Sequence, residues 1–201
     1  MAVEDFETGA AAASRFQRSV PDGDTVERNV CRDCGFVAYE NPKLVVGSVV
    51  RAGSAILLCR RAIEPRRGYW TLPAGYLELG ETPEDGARRE AFEEAGAEIR
   101  LHALLAVYSV PRISQVQLIY RAELAGSFAA GPESLEVRLF EPDELPWTEL
   151  AFPSVEWALE HEHAVQAGTA PAPFVNPAGE TGERFRGRPA GFGTAQPPEP
   201  A

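Results

Sequence analysis

The sequence predicts an α/β fold in which a mixed sheet is covered on both faces. Three observations carry that reading. Apolar β-runs stand before and after a single well-capped helix around residues 82–96, a second helical pattern closes the patterned stretch, and the two ends offer little to bury. At 201 residues the chain suits one ordinary domain with decorated ends, long enough to bury a real core.

Taken in order, residues 1–20 are rich in Ala, Gly and acidic side chains without a clear period and are expected to lack fixed structure. Residues 21–41 contain Cys31-Arg-Asp-Cys34-Gly35, the spacing of one zinc knuckle. Leu44 to Arg51 and Ala55 to Arg61 read as β-runs joined by a tight turn at Gly53. Thr82 is placed to cap a helix with Pro83 at its first position, Glu84 and Asp85 in its first turn and Gly96 as a left-handed stop. Ile99 to Val110 and Ile113 to Leu124 follow as two longer strands broken at Pro111, and Leu135 to Phe140 as another. Ser154 is the expected cap of a final helix, on which His161 and His163 read as surface residues. Residues 169–201 repeat Pro, Gly and Ala and are expected to lack fixed structure.

The most specific pattern lies between Gly75 and Ala97. Gly75, Glu81, Arg89, Glu90, Glu93, Glu94 and Gly96 stand in the register G-x5-E-x7-R-E-U-x-E-E-x-G-U, where the apolar positions U are Ala91 and Ala97. Carboxylates this dense repel one another and resist ionising together unless a cation sits between them, so the spacing implies a divalent metal, and such a metal suits phosphate oxygens. On a helical projection Glu90, Glu93 and Glu94 share one side, while Ala91, Phe92 and Ala95 lie on another that can pack on a core. Arg89 flanks the acidic face, where its guanidinium can fork onto one carboxylate and fix its rotamer. The bland alternative is a solvated acidic helix.

This register resembles the box of the Nudix hydrolase family at every fixed position. Gly68, Trp70, Leu72, Pro73, Ala74 and Gly75 are similar to the family's G-x-W-x-L-P-G-G lead-in, with Ala74 in place of the first glycine of the pair. The resemblance implies an α/β/α sandwich over residues 42–168; beyond the box it is this likeness, not periodicity, that specifies the topology. It also implies Mg²⁺ or Mn²⁺ on Glu90, Glu93 and Glu94, with Glu81 assisting and the Ala74 carbonyl available to a metal. Arg89 is expected to orient rather than react, and Glu133 or Glu136 to act as general base. Glu133, on a loop, precedes Glu136, which begins an apparent strand.

Residues Pro21 to Lys43 resemble a Nudix subgroup that carries a zinc-ribbon-like segment before the catalytic domain. A four-ligand zinc site needs a second Cys pair, and the stretch where relatives carry it reads Glu7-Thr-Gly-Ala-Ala-Ala-Ala here, which leaves a vestigial or dimer-shared knuckle as the alternative. The resemblance reaches plant enzymes that hydrolyse FAD and ADP-ribose, so the expected substrate is a small nucleoside diphosphate derivative such as ADP-ribose or FAD, with NADH and nucleoside triphosphates behind. Arg60, Arg61, Arg66 and Arg67 crowd the loop before the box as candidate phosphate-binding arginines, Arg60 and Arg66 first, with a solvated loop as the alternative. Trp70 and Tyr76, with Tyr108 and Tyr120, are candidate stacking rings. A homodimer is expected from the same likeness.

The net charge of −11 argues against a long nucleic-acid footprint, which relies on clustered Lys and Arg. No segment approaches the ~20 apolar residues of a membrane helix, and three cysteines make a sparse, odd set, so a cytoplasmic location is expected. Readings from other classes are a ligand sensor without catalysis, RNA 5′-end processing, which the charge disfavours, and isoprenyl diphosphate isomerisation, for which the cysteines lie poorly.

Overall fold

The computed structural model describes residues 15–187. Of the two ends expected to lack fixed structure, residues 1–14 and 188–201 lie outside the described residues. The chain divides into two compact units, Met1–Asn41 and Pro42–Ala201.

The first unit is a small antiparallel sheet of β1 (Phe16–Ser19), β2 (Arg28–Cys31) and β3 (Val37–Ala38), in that order. β1 falls inside the stretch 1–20 expected to be unstructured; all four of its residues pair with β2, from Phe16 opposite Cys31 to Ser19 opposite Arg28. Asp24 organises the connection, accepting from the backbone N–H groups of Thr25 and Val26 and from Arg28 Nε at 2.9 Å.

The second unit holds β4 (Lys43–Ala52), β5 (Ala55–Arg61), β6 (Trp70–Thr71), β7 (Ala74–Tyr76), α1 (Pro83–Ala95), β8 (Ile99–Val110), β9 (Gln115–Leu124), β10 (Ser134–Phe140) and α2 (Pro153–Gln166). Its sheet runs β10-β5-β4-β9-β8, with β6 added to β5 and β7 to β4. β4 and β9 are parallel and the other pairs antiparallel, so the sheet is mixed.

Alternation along the strands assigns the two faces. Ile56 and Leu58 of β5 point toward α2, into a core with Trp70, Leu105, Tyr108, Phe140, Trp157 and Leu159. Leu57 and Cys59 point the other way, with Val50, Ala122 and the α1 residue Ala95. The result is the α/β/α layering expected. Among the described residues, no helix is long and apolar enough to cross a membrane.

The helix ends show where local sequence rules hold. Thr82 Oγ1 accepts from the Asp85 N–H at 3.1 Å, and Gly96 at φ 55° closes α1 by returning its N–H to the carbonyls of Ala91 and Phe92. At α2 the expected Ser154 cap does not form. The cap position is Phe152, Pro153 takes the first helical position, and Ser154 is buried beyond it.

His161 is not a surface residue as expected. It is half-buried, its Nδ1 2.7 Å from the Tyr108 hydroxyl, and its ring stacks on Phe174 at 4.1 Å. Phe174 belongs to a stretch expected to lack structure, yet residues 169–187 take defined positions. Phe174 donates to the Leu105 carbonyl and accepts from the Val107 N–H, while the Asn176 side chain brackets the backbone N–H and C=O of Ser109. Unpaired groups of the β8 edge explain this: they are satisfied by this strap.

Candidate active site

The buried stripe of α1 is Ala87, Glu90, Ala91, Glu94 and Ala95, one side of a helix in which two glutamates replace core residues. Phe92, expected on the packing face, is exposed instead, because the alanines already fill the approach to the sheet. Glu93 and Glu94 occupy the last turn, which carries no basic residue, so both anions sit at the end of the helix where the backbone dipole disfavours negative charge. A cation is welcome there.

Arg89 supplies one. Its Nε and Nη2 fork onto the two oxygens of Glu81 at 3.1 and 2.7 Å, as the sequence led us to expect for one carboxylate. Its Nη1 also donates to Glu90 Oε1 at 2.7 Å and Glu93 Oε2 at 3.0 Å, and Nη2 to the Tyr76 carbonyl at 3.0 Å. Three of the four box glutamates thus meet at one guanidinium, which holds the Glu81 carboxyl below the usual range.

Glu94 stands apart. Its Oε2 accepts from the Ala74 N–H at 3.0 Å, and burial, followed by the neighbouring charge of Glu90, pushes its carboxyl up to about 7. Glu90 is raised too, chiefly by burial and against the pull of Arg89. Ala74 reaches Glu94 because β7 lies against β4 opposite Gly47 and α1 packs over it. A side chain at Gly75 would meet the Glu90 carboxylate at 2.4 Å, so the glycine makes the cradle in which that carboxylate lies.

The loop ahead of β10 docks on the open end of α1. Ala129 and Gly131 N–H groups bond the carbonyls of Ala95 and Glu94, which the helix cannot satisfy itself. Glu133 on this loop lies near enough to Glu90 and Glu94 to oppose their ionisation. Glu136 does not. A bulge between Ser134 and Glu136 shifts the register of β10, and Glu136 faces Arg60, 3.8 Å away.

Among the described residues, no three His, Cys, Asp or Glu side chains converge in a way suited to a metal ion. Arg89 draws Glu81, Glu90 and Glu93 to itself, and Glu94 turns to Ala74. The donor chemistry nevertheless fits a hard divalent cation: four carboxylates on one helix and its approach loop, two of them buried, with a single guanidinium between them.

The expected substrate contacts divide sharply. Tyr76 is 49% exposed beside the box, with Lys43 Nζ 5.0 Å from its ring centroid and Gln115 Nε2 donating to its hydroxyl. Trp70, Tyr108 and Tyr120 are buried, Trp70 edge-on to Phe140 and Tyr108 edge-on to Trp157. Arg66 is occupied with the carbonyls of Leu150 and Ala151 and lies 3.8 Å over Tyr69. Arg60 donates to the Gly68 carbonyl on the α2 face. Arg61, one of the four arginines expected to crowd this loop, shares the face of Leu57 and Cys59 and is close enough to Glu94 to favour its charged form. Strict alternation from Leu57 and Cys59 is what singles it out from Arg60.

The family description NUDIX domain matches residues 41–159, more than half the chain. The chain belongs to the Nudix hydrolase family. A second description, Nudix N-terminal, of the zinc-ribbon type, matches residues 13–40. Among solved structures it is similar to a Nudix hydrolase from Nitrosomonas europaea, at 42% identity and TM-score 0.76, covering 80% of this chain and 92% of that one. An ADP-ribose pyrophosphatase from Methanocaldococcus jannaschii is 33% identical over 57% of this chain and 69% of its own length. A MutT-like protein from Streptomyces ambofaciens is 39% identical over 50% and 64%. The NAD-capped RNA hydrolase NudC of Haemophilus influenzae is 40% identical, over 35% of this chain and only 27% of its own length. Nudix hydrolases generally use divalent metals such as Mg²⁺, and the acidic helix of this chain is where the family box lies.

Proposed function

We propose that this Nudix hydrolase cleaves the diphosphate linkage of a nucleoside diphosphate derivative, with ADP-ribose ahead of FAD, using Glu90, Glu93 and Glu94 as metal ligands and Glu81 and the Ala74 carbonyl in support. The observation that carries this is Glu94: a buried carboxylate with one backbone donor, on a helix end without a basic residue. A bound Mg²⁺ or Mn²⁺ would neutralise the diphosphate and lower the pKa of an attacking water. Arg89 keeps Glu81, Glu90 and Glu93 in register, and Glu133 takes the water's proton, a role supported by its nearness to Glu90 and Glu94. Tyr76 offers its face to the adenine, and Arg61 is positioned to hold a phosphate oxygen. Support for ADP-ribose is the name of the archaeal relative, 33% identical over 119 residues.

The test is a panel of ADP-ribose, FAD, NADH and nucleoside triphosphates with Mg²⁺ in ¹⁸O water, read by product masses. AMP with ribose 5-phosphate as the ADP-ribose products, with label on one of them, is the expected result. Turnover of triphosphates alone would remove the substrate assignment, and no turnover of any compound would favour a sensor on this fold. A cytoplasmic homodimer belongs to the same proposal, supported by the sparse cysteines and the frequency of dimers among similar enzymes, and is read by sedimentation and fractionation.

A further inference from the structure

The zinc-ribbon match ends where its chemistry should begin. A closed tetrahedral site takes four Cys or His ligands. The whole chain has three Cys and three His, and within residues 1–41 only Cys31 and Cys34 are of either type. Cys59, on β5, is buried in the cluster that holds Ala95 of α1 and Val137 of β10, its thiol pushed up to about 12 by burial. The residues present do not fit a resident zinc of the closed kind.

What survives of the knuckle is its turn. The Cys31 N–H bonds the Phe36 carbonyl at 2.8 Å, the Gly35 N–H returns to the Cys31 carbonyl at 2.9 Å, and Gly35 at φ 74° lets the chain fold back. Hydrogen bonding from the Asp33 and Cys34 N–H groups, followed by the Cys34 thiol, holds the Cys31 thiol below its ordinary range. Cys34 is exposed and Cys31 half-buried, and none of residues 15–41 is fully buried, so among the described residues nothing encloses the pair. Two thiols carried by one tight turn at C-x-x-C spacing, with amide donors favouring negative charge on one sulfur, are arranged as a redox pair is.

We propose that Cys31 and Cys34 form a reversible dithiol–disulfide couple, in a ribbon whose strands pair without zinc. The Cys31 sulfur attacks a peroxide, breaking its O–O bond and releasing water or an alcohol; the resulting sulfenic acid is then displaced by the Cys34 sulfur, forming the S–S bond and releasing water. Two thiols are oxidised by two electrons and one peroxide is reduced. An external dithiol reverses the step by exchange. This inference is independent of the substrate proposed above.

The test uses the full chain, purified without chelator. Elemental analysis is expected to give below ~0.1 zinc per chain, where a closed site gives one. After titration with hydrogen peroxide and alkylation, peptide mapping is expected to show Cys31–Cys34 lighter by two hydrogens, complete before Cys59 reacts and restored by dithiothreitol. Cys34→Ser is expected to abolish that species and leave Cys31 trapped by dimedone as a sulfenic acid. One zinc per chain, half a zinc shared between two copies, or both thiols alkylated after peroxide would each overturn the proposal.

Discussion

Glu94 on α1 and Glu162 on α2 are almost equally hidden from solvent, at 6% and 1% relative exposure, yet their surroundings are opposite. Glu162 receives a bidentate fork from Arg121 at 2.7 and 3.0 Å, a further donor from Gln166 and a second guanidinium, Arg51, at 3.7 Å. Every lone pair of importance has a partner, and the pair ties α2 to β9 and β4. Glu94 has one backbone donor and a carboxylate neighbour. A buried charge costs several kcal/mol unless paired. At Glu162 partners within the fold offset that cost, whereas at Glu94 the proposed metal would offset it. The contrast is what the proposed roles predict for a structural carboxylate and a metal ligand.

Removing each carboxylate gives the sharpest way to break the contrast. Glu94→Gln should lower metal-saturated turnover by on the order of 10³ while the variant melts at or above the parent temperature, because a neutral isostere relieves burial. Near-normal turnover in this variant and in Glu93→Gln would remove the metal-ligand assignment. Glu162→Gln should do the reverse, keeping turnover within a few-fold but costing roughly 2–3 kcal/mol, read as a fall of several degrees in thermal midpoint.

A pH series sharpens the same point. The folded Glu94 carboxyl, at about 7, lies above its ordinary 4.5, so its protonated form is the one folding favours. Its contribution is full below pH 4.5 and lost as pH rises through 7, amounting to at most about 3 kcal/mol. Metal-free protein should therefore lose stability over that window, and Glu94→Gln should flatten the profile. A midpoint that rises from pH 4.5 to 7 in the parent and stays unaltered in the variant would contradict this. Mg²⁺ should restore midpoint more at pH 8 than at pH 5, since only ionised carboxylates hold it, and EDTA should reverse the effect.

The smallest expected effect is at the base site. Tyr76→Ala should raise KM for an adenine-containing substrate by about 2- to 10-fold, the range of one aromatic stack, with kcat little changed. An equal effect from Trp70→Phe, whose ring is buried against Phe140, would show that the ring is acting through packing alone.

Much of the fold was legible because its rules are local. The Gly53 turn, the Thr82 cap, the Gly96 stop and the strand runs each depend on a few neighbouring residues, and the structure returns β5 at the residues expected. α2 departs at its cap because Pro153 and Ser154 compete for adjacent positions, and local propensity does not say which side chain the sheet will bury. The strap over residues 169–187 was invisible for a related reason: its hydrogen bonds are owed to the edge of β8, not to any pattern of its own.

The sequence by itself determined which carboxylates exist, their spacing along one helix and that an arginine flanks them, since helical geometry converts spacing into a face. Only the tertiary structure decided which of them are buried, that Arg61 rather than Arg60 shares the side of Glu94, and that Tyr76 alone of the four candidate rings remains exposed. Those outcomes depend on which side of the sheet meets which helix. That is a property of packing between segments far apart in the chain, and no local period encodes it.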